Sequence, residues 1–155
     1  MAKRSTLETN SKLDLYVTLK DSFGAEDYLN TPDYKIRKAI TKLRISAHKF
    51  PIEVGRYTNT PKQERICPLC NDGVGSEEHY LLNCANHKIC QERNPVLNNI
   101  MSMNPNFNDM ETKDKCKYIL AYKDPDHVKI SGLLCYKIQK VFKEEMLLEQ
   151  QPNGN

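Results

Sequence analysis

Apolar positions in this chain recur every three or four residues more often than every second one, a spacing that predicts helices joined by polar turns. A first helix is expected over residues 11–20, beginning at Ser11, with Leu13, Tyr16, Val17 and Leu19 on its apolar face and Gly24 as a stop beyond it. The second should enter at Thr31-Pro32-Asp33, carry the stripe Ile36, Ala39, Ile40, Leu43 and Ala47, and end at Phe50-Pro51, because a residue before proline is pushed out of helical backbone. Residues 52–57 read as extended, with Gly55 allowing a bend, and Asn94-Pro95 reads as a break. Further helices are expected over residues 95–103 and 109–121, separated by an Asn104-Pro105-Asn106 loop, the latter through Met110, Cys116, Ile119 and Leu120. The longest enters at Asp124-Pro125-Asp126 and sets Ile130, Leu133, Leu134, Ile138, Val141, Phe142 and Leu148 on one side. A stripe of that length is expected to pack on the other helices as core.

Length and composition agree with an ordered protein. The 155 residues suffice for one domain of ordinary size, and a 39% hydrophobic, 28% charged content excludes global disorder. There is no run of 18 apolar residues, and the opening Met1-Ala2-Lys3-Arg4-Ser5-Thr6-Leu7-Glu8 lacks the apolar core of a secretory signal. The expectation is an intracellular chain, nuclear or cytoplasmic, with no membrane partner. In a reducing compartment close cysteine pairs are metal ligands or redox groups before they are disulfides.

The chemistry lies in the middle. Cys67-Pro68-Leu69-Cys70 is a C-x2-C pair, followed after eight residues by His79 and after four more by Cys84. Three thiolates and one imidazole make a closed tetrahedral set, with no position left for water or substrate, so Cys67, Cys70, His79 and Cys84 are expected to hold one structural Zn2+. Asn71-Asp72-Gly73-Val74-Gly75 is turn chemistry that folds the first pair back, and Ser76-Glu77-Glu78 can begin a short helix. Residues 79 and 84 lie about 140° apart on an ideal helix, so that helix must end near Asn83, with Cys84 in an irregular turn. His87 or Cys90 could replace one ligand in a rearranged site. A thioredoxin-like redox role for Cys67 and Cys70 lacks the alternating strand and helix pattern that it needs. Cys116 and Cys135, isolated in apolar helical patterns, read as core, and His48 and His127 as surface or cap residues.

Charge singles out the segment ahead of the cysteines. From residue 35 to residue 65 nine basic residues face two acidic ones, a net +7, whereas the rest of the chain, with 14 basic and 18 acidic residues, carries −4. Lys35, Arg37, Lys38, Lys42, Arg44, Lys49, Arg56 and Arg65 are therefore candidate phosphate contacts, although a charge run of this kind is also what a solvated helix face looks like. Tyr57 and Tyr80 could stack on bases, but packing around the zinc lobe is the preferred reading.

Three blocks carry a resemblance: Lys42-Leu43-Arg44-Ile45-Ser46-Ala47-His48-Lys49, Ile52-Glu53-Val54-Gly55-Arg56-Tyr57, and the pair Arg65-Ile66-Cys67-Pro68-Leu69-Cys70 with Glu78-His79-Tyr80-Leu81-Leu82-Asn83-Cys84. They resemble the region after the polymerase in reverse transcriptases of LINE-like, non-LTR retrotransposons. The resemblance implies a zinc-binding module that helps handle template RNA and target DNA, with its cysteine and histidine pattern at the same four positions. The paired aspartates of a polymerase site are missing, and Pro125-Asp126 with Glu144-Glu145 imitates a nuclease only weakly.

The expected fold is mainly α: a small helical bundle with an inserted CCHC zinc-binding lobe made of a short turn or hairpin plus a short helix. It divides into residues 1–64 with the basic helix, 65–93 as the lobe, 94–149 as C-terminal helices, and a fraying tail at 150–155. The function expected is noncatalytic binding of RNA or DNA, with a reverse transcriptase or other protein subunit as a further partner. The competing reading is a zinc-braced helical surface for protein interaction.

Overall fold

A computed structural model describes residues 14–20, 26–121 and 123–151. The protein is mainly helical, with no strand among the described residues and an isolated antiparallel bridge between Ile66 and Val74. Six α-helices follow in order: α1 (Asp14–Leu19), α2 (Tyr34–Arg44), α3 (Pro51–Tyr57), α4 (His87–Met103), α5 (Thr112–Ala121) and α6 (Pro125–Glu149). Short 3-10 turns lie at Asp27–Asn30, Lys62–Glu64 and Pro105–Asp109, and one π-turn at His79–Asn83. The positions expected at Leu13 and Gly24, and the end of the tail, fall outside the described residues.

Helix α6 is the axis of the molecule, packed on α2 along one side and α4 along another. Leu134, Ile138, Val141 and Phe142 form its buried stripe, at the i, i+4, i+7, i+8 spacing of one helical face. Leu133 and Leu148, assigned to the same side from the sequence, are exposed: Leu133 lies well around the helix from that face, and Leu148 shares the side of Val141 but sits in the last turn of α6. Val17 on α1 is likewise exposed, whereas Leu19 is buried. Where α6 crosses α2, Gly132 lets the backbones close in, since a Cβ there would sit 2.1 Å from Ile36 Cγ2.

Several boundaries differ from the sequence expectation. Asp33 does cap α2, accepting from the N–H groups of Lys35 and Ile36. The helix nevertheless stops at Arg44, not at Phe50. Ser46 adopts φ 53°, and the N–H groups of Ser46 and Ala47 bond the carbonyls of Leu43 and Lys42, the paired bonds of a left-handed helix end. Residues 52–57 are helical rather than extended: Pro51 opens α3, where its fixed φ suits the first turn and its missing N–H costs nothing. Nor does Asn94-Pro95 break the chain. Proline removes the N–H that would bond the Gln91 carbonyl, but Gln91 and Pro95 are both exposed, so water can satisfy that group and α4 continues through.

Candidate metal centre

Arg65 to Gly75 folds back on itself. The Cys67 N–H bonds the Gly73 carbonyl at 3.0 Å, the Gly75 N–H bonds the Arg65 carbonyl at 2.9 Å, and the Asn71 N–H closes the turn onto Cys67 at 2.9 Å. Asn71 and Gly73 take positive φ, which these two residue types tolerate best. The opposing half is the π-turn, where the Cys84 N–H reaches back five residues to the His79 carbonyl at 2.7 Å. A turn one residue wider than an α-turn sets residue i+5 nearly above residue i. It thereby removes the angular offset that an α-helix would put between His79 and Cys84, and the helix ends at Asn83 as the spacing required.

These two halves bring Cys67, Cys70, His79 and Cys84 together with all four donor atoms within 4.8 Å of one another. Cys67 Sγ lies 3.9 Å from Cys84 Sγ, and Cys70 Sγ lies 3.3 Å from His79 Nε2. Tetrahedral edges around an ion with bonds of 2.0–2.3 Å are about 3.8 Å for sulfur to sulfur and about 3.6 Å for sulfur to nitrogen. The cluster is therefore the right size for one metal ion. His87 is exposed, and Cys90 donates to the Cys84 carbonyl at 3.3 Å, so neither belongs to the set.

Electrostatics within the cluster point the same way. The Cys67 thiol is held down to about 3, first by the hydrogen bond it shares with Cys84 and then, against the cost of burial, by bonds from His79 and Tyr80. The same shared bond, with burial, pushes Cys84 up. One proton is thus held between two buried sulfurs, and a bound cation would take its place. Burial and the bond to Cys67 raise the Tyr80 hydroxyl, which stays a donor to that sulfur at 3.1 Å.

A second layer ties the lobe to the helical core. Glu77 accepts from His48 Nε2 at 2.7 Å and from Ser46 Oγ at 3.2 Å, and the Phe50 N–H donates to His48 Nδ1, which places the imidazole proton on Nε2. Burial opposes ionisation of Glu77, but the hydrogen bonds from His48 and Ser46 outweigh it and hold the carboxyl below its ordinary range. Phe50, Tyr80 and Phe142 meet with ring centroids 4.4–5.1 Å apart, which joins the lobe to α6. Arg93 on α4 donates to the carbonyls of Cys84 and Tyr80, closing the end of the π-turn. Cys67, Tyr80, Leu81 and Cys84 belong to the same buried cluster as the helices, and α4 runs across the expected boundary at residue 93.

His48 and His127 are buried, contrary to the surface reading. His48 braces Glu77, and His127 Nε2 lies 2.9 Å from the Tyr118 carbonyl and 3.0 Å from Ser131 Oγ. Cys116 and Cys135 are buried as expected, their thiols pushed up to about 12 by burial. Tyr80 packs at the centre, whereas Tyr57 is exposed. Nothing in the periodicity marked Glu77, Ser46 or Arg93, since their role depends on which elements meet in space.

The basic candidates separate into two groups. Lys35, Lys38 and Lys49 are exposed, and Arg37, Lys42 and Arg56 half-buried; Arg37 donates to the Pro32 carbonyl at 2.9 Å, and Arg56 pairs with Glu53 at 3.4 Å. Arg44 and Arg65 are buried and held by the protein itself. Arg44 donates to the Leu120 carbonyl, pairs with Glu26 at 3.1 Å and lies 5.1 Å from the Tyr28 ring. Arg65 crosses α3 beneath Gly55, where a Cβ would meet its side chain at 2.5 Å, and donates to the carbonyls of Thr60 and Ile52. Both are therefore structural residues, which leaves the other six as candidates.

Fold and site together define a mainly helical protein with a Cys3His cluster able to hold one metal ion. Compared with protein-family models, curated proteins and solved structures, the chain gives no match in any of the three, and nothing there links it to non-LTR retrotransposon reverse transcriptases. No described helix is long and apolar enough to cross a membrane.

Proposed function

We propose that this protein is a noncatalytic module that binds RNA or DNA and is braced by one structural Zn2+ on Cys67, Cys70, His79 and Cys84. The observation that carries the reading is the convergence of those four donors within 4.8 Å immediately after a segment rich in exposed lysine. Soft thiolates with one imidazole at tetrahedral separations favour zinc over harder cations, and a filled first coordination shell suits a brace rather than a catalyst. Lys35, Lys38, Lys42 and Lys49 supply the charge that attracts a phosphate backbone and makes binding salt-dependent.

The resemblance to the region after the polymerase of non-LTR reverse transcriptases accords with this reading and extends it to an origin and to a polymerase partner. That extension rests on the quoted blocks within residues 42–84. A second reading, a zinc-braced surface for another protein, is favoured by the exposure of Leu147 and Leu148 on α6.

Metal analysis of freshly purified protein should return one zinc per chain, and filter binding should show affinity for RNA or DNA that falls steeply between a low and a high salt concentration. Absence of bound metal would remove the brace. Metal-loaded protein with no affinity for either nucleic acid at low salt would leave the protein-interaction reading in its place.

A further inference from the structure

A groove of about 1020 Å³ opens beside the lobe, lined by α2, α3, α6 and the segment that leads into Cys67. Six lysines surround it: Lys35, Lys38 and Lys42 from α2, Lys49 from the loop that follows, and Lys140 and Lys143 from α6. Lys140 and Lys143 are about a hundred residues from the others in sequence, so only the packing of α6 on α2 completes the set. Glu64 is the sole carboxylate in the lining among the described residues. Three lysines elsewhere on the surface are paired, Lys88 with Glu145, Lys137 with Glu92 and Lys129 with Asp126, whereas none of these six has a carboxylate in ion-pair range among the described residues. Lys35 and Lys38 instead lie 6.0 Å and 5.7 Å from the rings of Tyr136 and Tyr34, which also line the groove.

The rest of the lining is mostly apolar. Val54, Ile66 and Leu147 are 41%, 42% and 53% exposed there, with Phe50, Pro51 and Phe142 beneath. Unpaired positive charge and exposed apolar surface in one groove suit an occupant that offers both anionic groups and flat apolar faces. A duplex keeps its base faces stacked within itself and would use only the lysines. An unpaired strand offers phosphates to the lysines and base faces to Tyr34, Tyr136 and the aliphatic patch.

We propose that this groove is the nucleic-acid site and that it takes a single strand, with Lys140 and Lys143 as phosphate contacts and Val54 and Leu147 as part of the surface beneath the bases. The proposal rests on the nucleic-acid reading above and narrows it to one surface and one class of ligand.

Fluorescence anisotropy of zinc-loaded full-length protein, with a short labelled oligouridine and a labelled duplex of matched length over a salt series, tests it. The single strand should bind on the order of tenfold more tightly, the effect of stacking one or two bases. Lys140→Gln with Lys143→Gln should lower the salt slope by about 1.4, the loss of two phosphate contacts on a single strand. Val54→Ser with Leu147→Ser should weaken single-strand binding and leave the slope unchanged. All four positions are exposed, and circular dichroism and zinc content matching the parent protein would verify the fold.

Equal or tighter binding of the duplex, or affinities untouched by both double variants, overturns the groove assignment while nucleic-acid binding survives. An oligoglutamate peptide that displaces oligouridine as well as unlabelled oligouridine does would show a site that reads charge alone, and also overturns it. Failure of the parent protein to bind either nucleic acid sinks the broader reading and this one with it.

Discussion

Arg44 offers the sharpest separation of folding from binding, because charge patterning puts it among the phosphate contacts and the structure puts it in the core. Only 2% of it is exposed. Replacing it with leucine leaves the Leu120 carbonyl without its donor, which costs about 1–3 kcal/mol for a buried acceptor. The cation over the Tyr28 ring is lost as well, about 0.5–2 kcal/mol at a site shielded from water. The pair with Glu26 adds less than about 1 kcal/mol, since that carboxylate is partly exposed and keeps Lys20 at 3.7 Å. Leucine recovers some apolar contact, so the expected net loss is roughly 2–4 kcal/mol. For a chain of this length that lowers Tm by roughly 5–15 °C. Thermal unfolding and urea titration at saturating zinc measure the loss, and oligonucleotide anisotropy below the transition measures affinity. Arg44→Leu should be much less stable and bind as before; Lys38→Gln and Lys42→Gln should be as stable as the parent and bind less well. An Arg44→Leu protein of parental stability, or one whose only defect is in binding, would refute the argument.

Chelation of the metal, or Cys84→Ser, should loosen residues 65–86 in hydrogen exchange and shift the near-ultraviolet signal of Tyr80, with α6 still helical; Cys84→Ser should be worse than Cys70→Ser, because Cys84 is fully buried and Cys70 is not. Gly132→Ala should destabilise by about 1–3 kcal/mol in urea unfolding despite alanine's better helix propensity, since its Cβ would meet Ile36, and Ile36→Ala in the same chain should recover part of the loss. Burial lowers the His127 pKa, and a group depressed in the folded state contributes stability that is complete above its unfolded value of 6.5 and is lost as pH falls from there through the folded value. The parent should therefore lose more stability between about pH 7.5 and pH 5.5 than His127→Asn does; parallel stability curves for the two proteins would contradict this.

The helical class and the four metal candidates were legible because both depend on local spacing. Leu134, Ile138, Val141 and Phe142 share a face through the period of one helix, and a C-x2-C pair needs only a tight turn to point two sulfurs at one place. The end of α2 is not legible because Ser46 takes a left-handed conformation that its residue type does not announce, and the helical state of residues 52–57 is not legible because Pro51 begins a helix as readily as it ends one. The helix α4 continues through Pro95 because only a solvent-exposed carbonyl loses its partner there, and exposure is not written in the local sequence.

Spacing along one chain can show which residues lie on a common face, and for this protein it determined the helical periods, the cap at Asp33 and the order of the metal donors. Tertiary packing alone decided which of the charged residues face water: Arg44 and Arg65 turn inward to satisfy carbonyls of distant elements, and Lys140 and Lys143 join the lysines of α2. It also set His48 against Glu77. The physical reason is that burial and long-range pairing are properties of surfaces brought together by folding, and no repeat within a single segment encodes which surface will arrive.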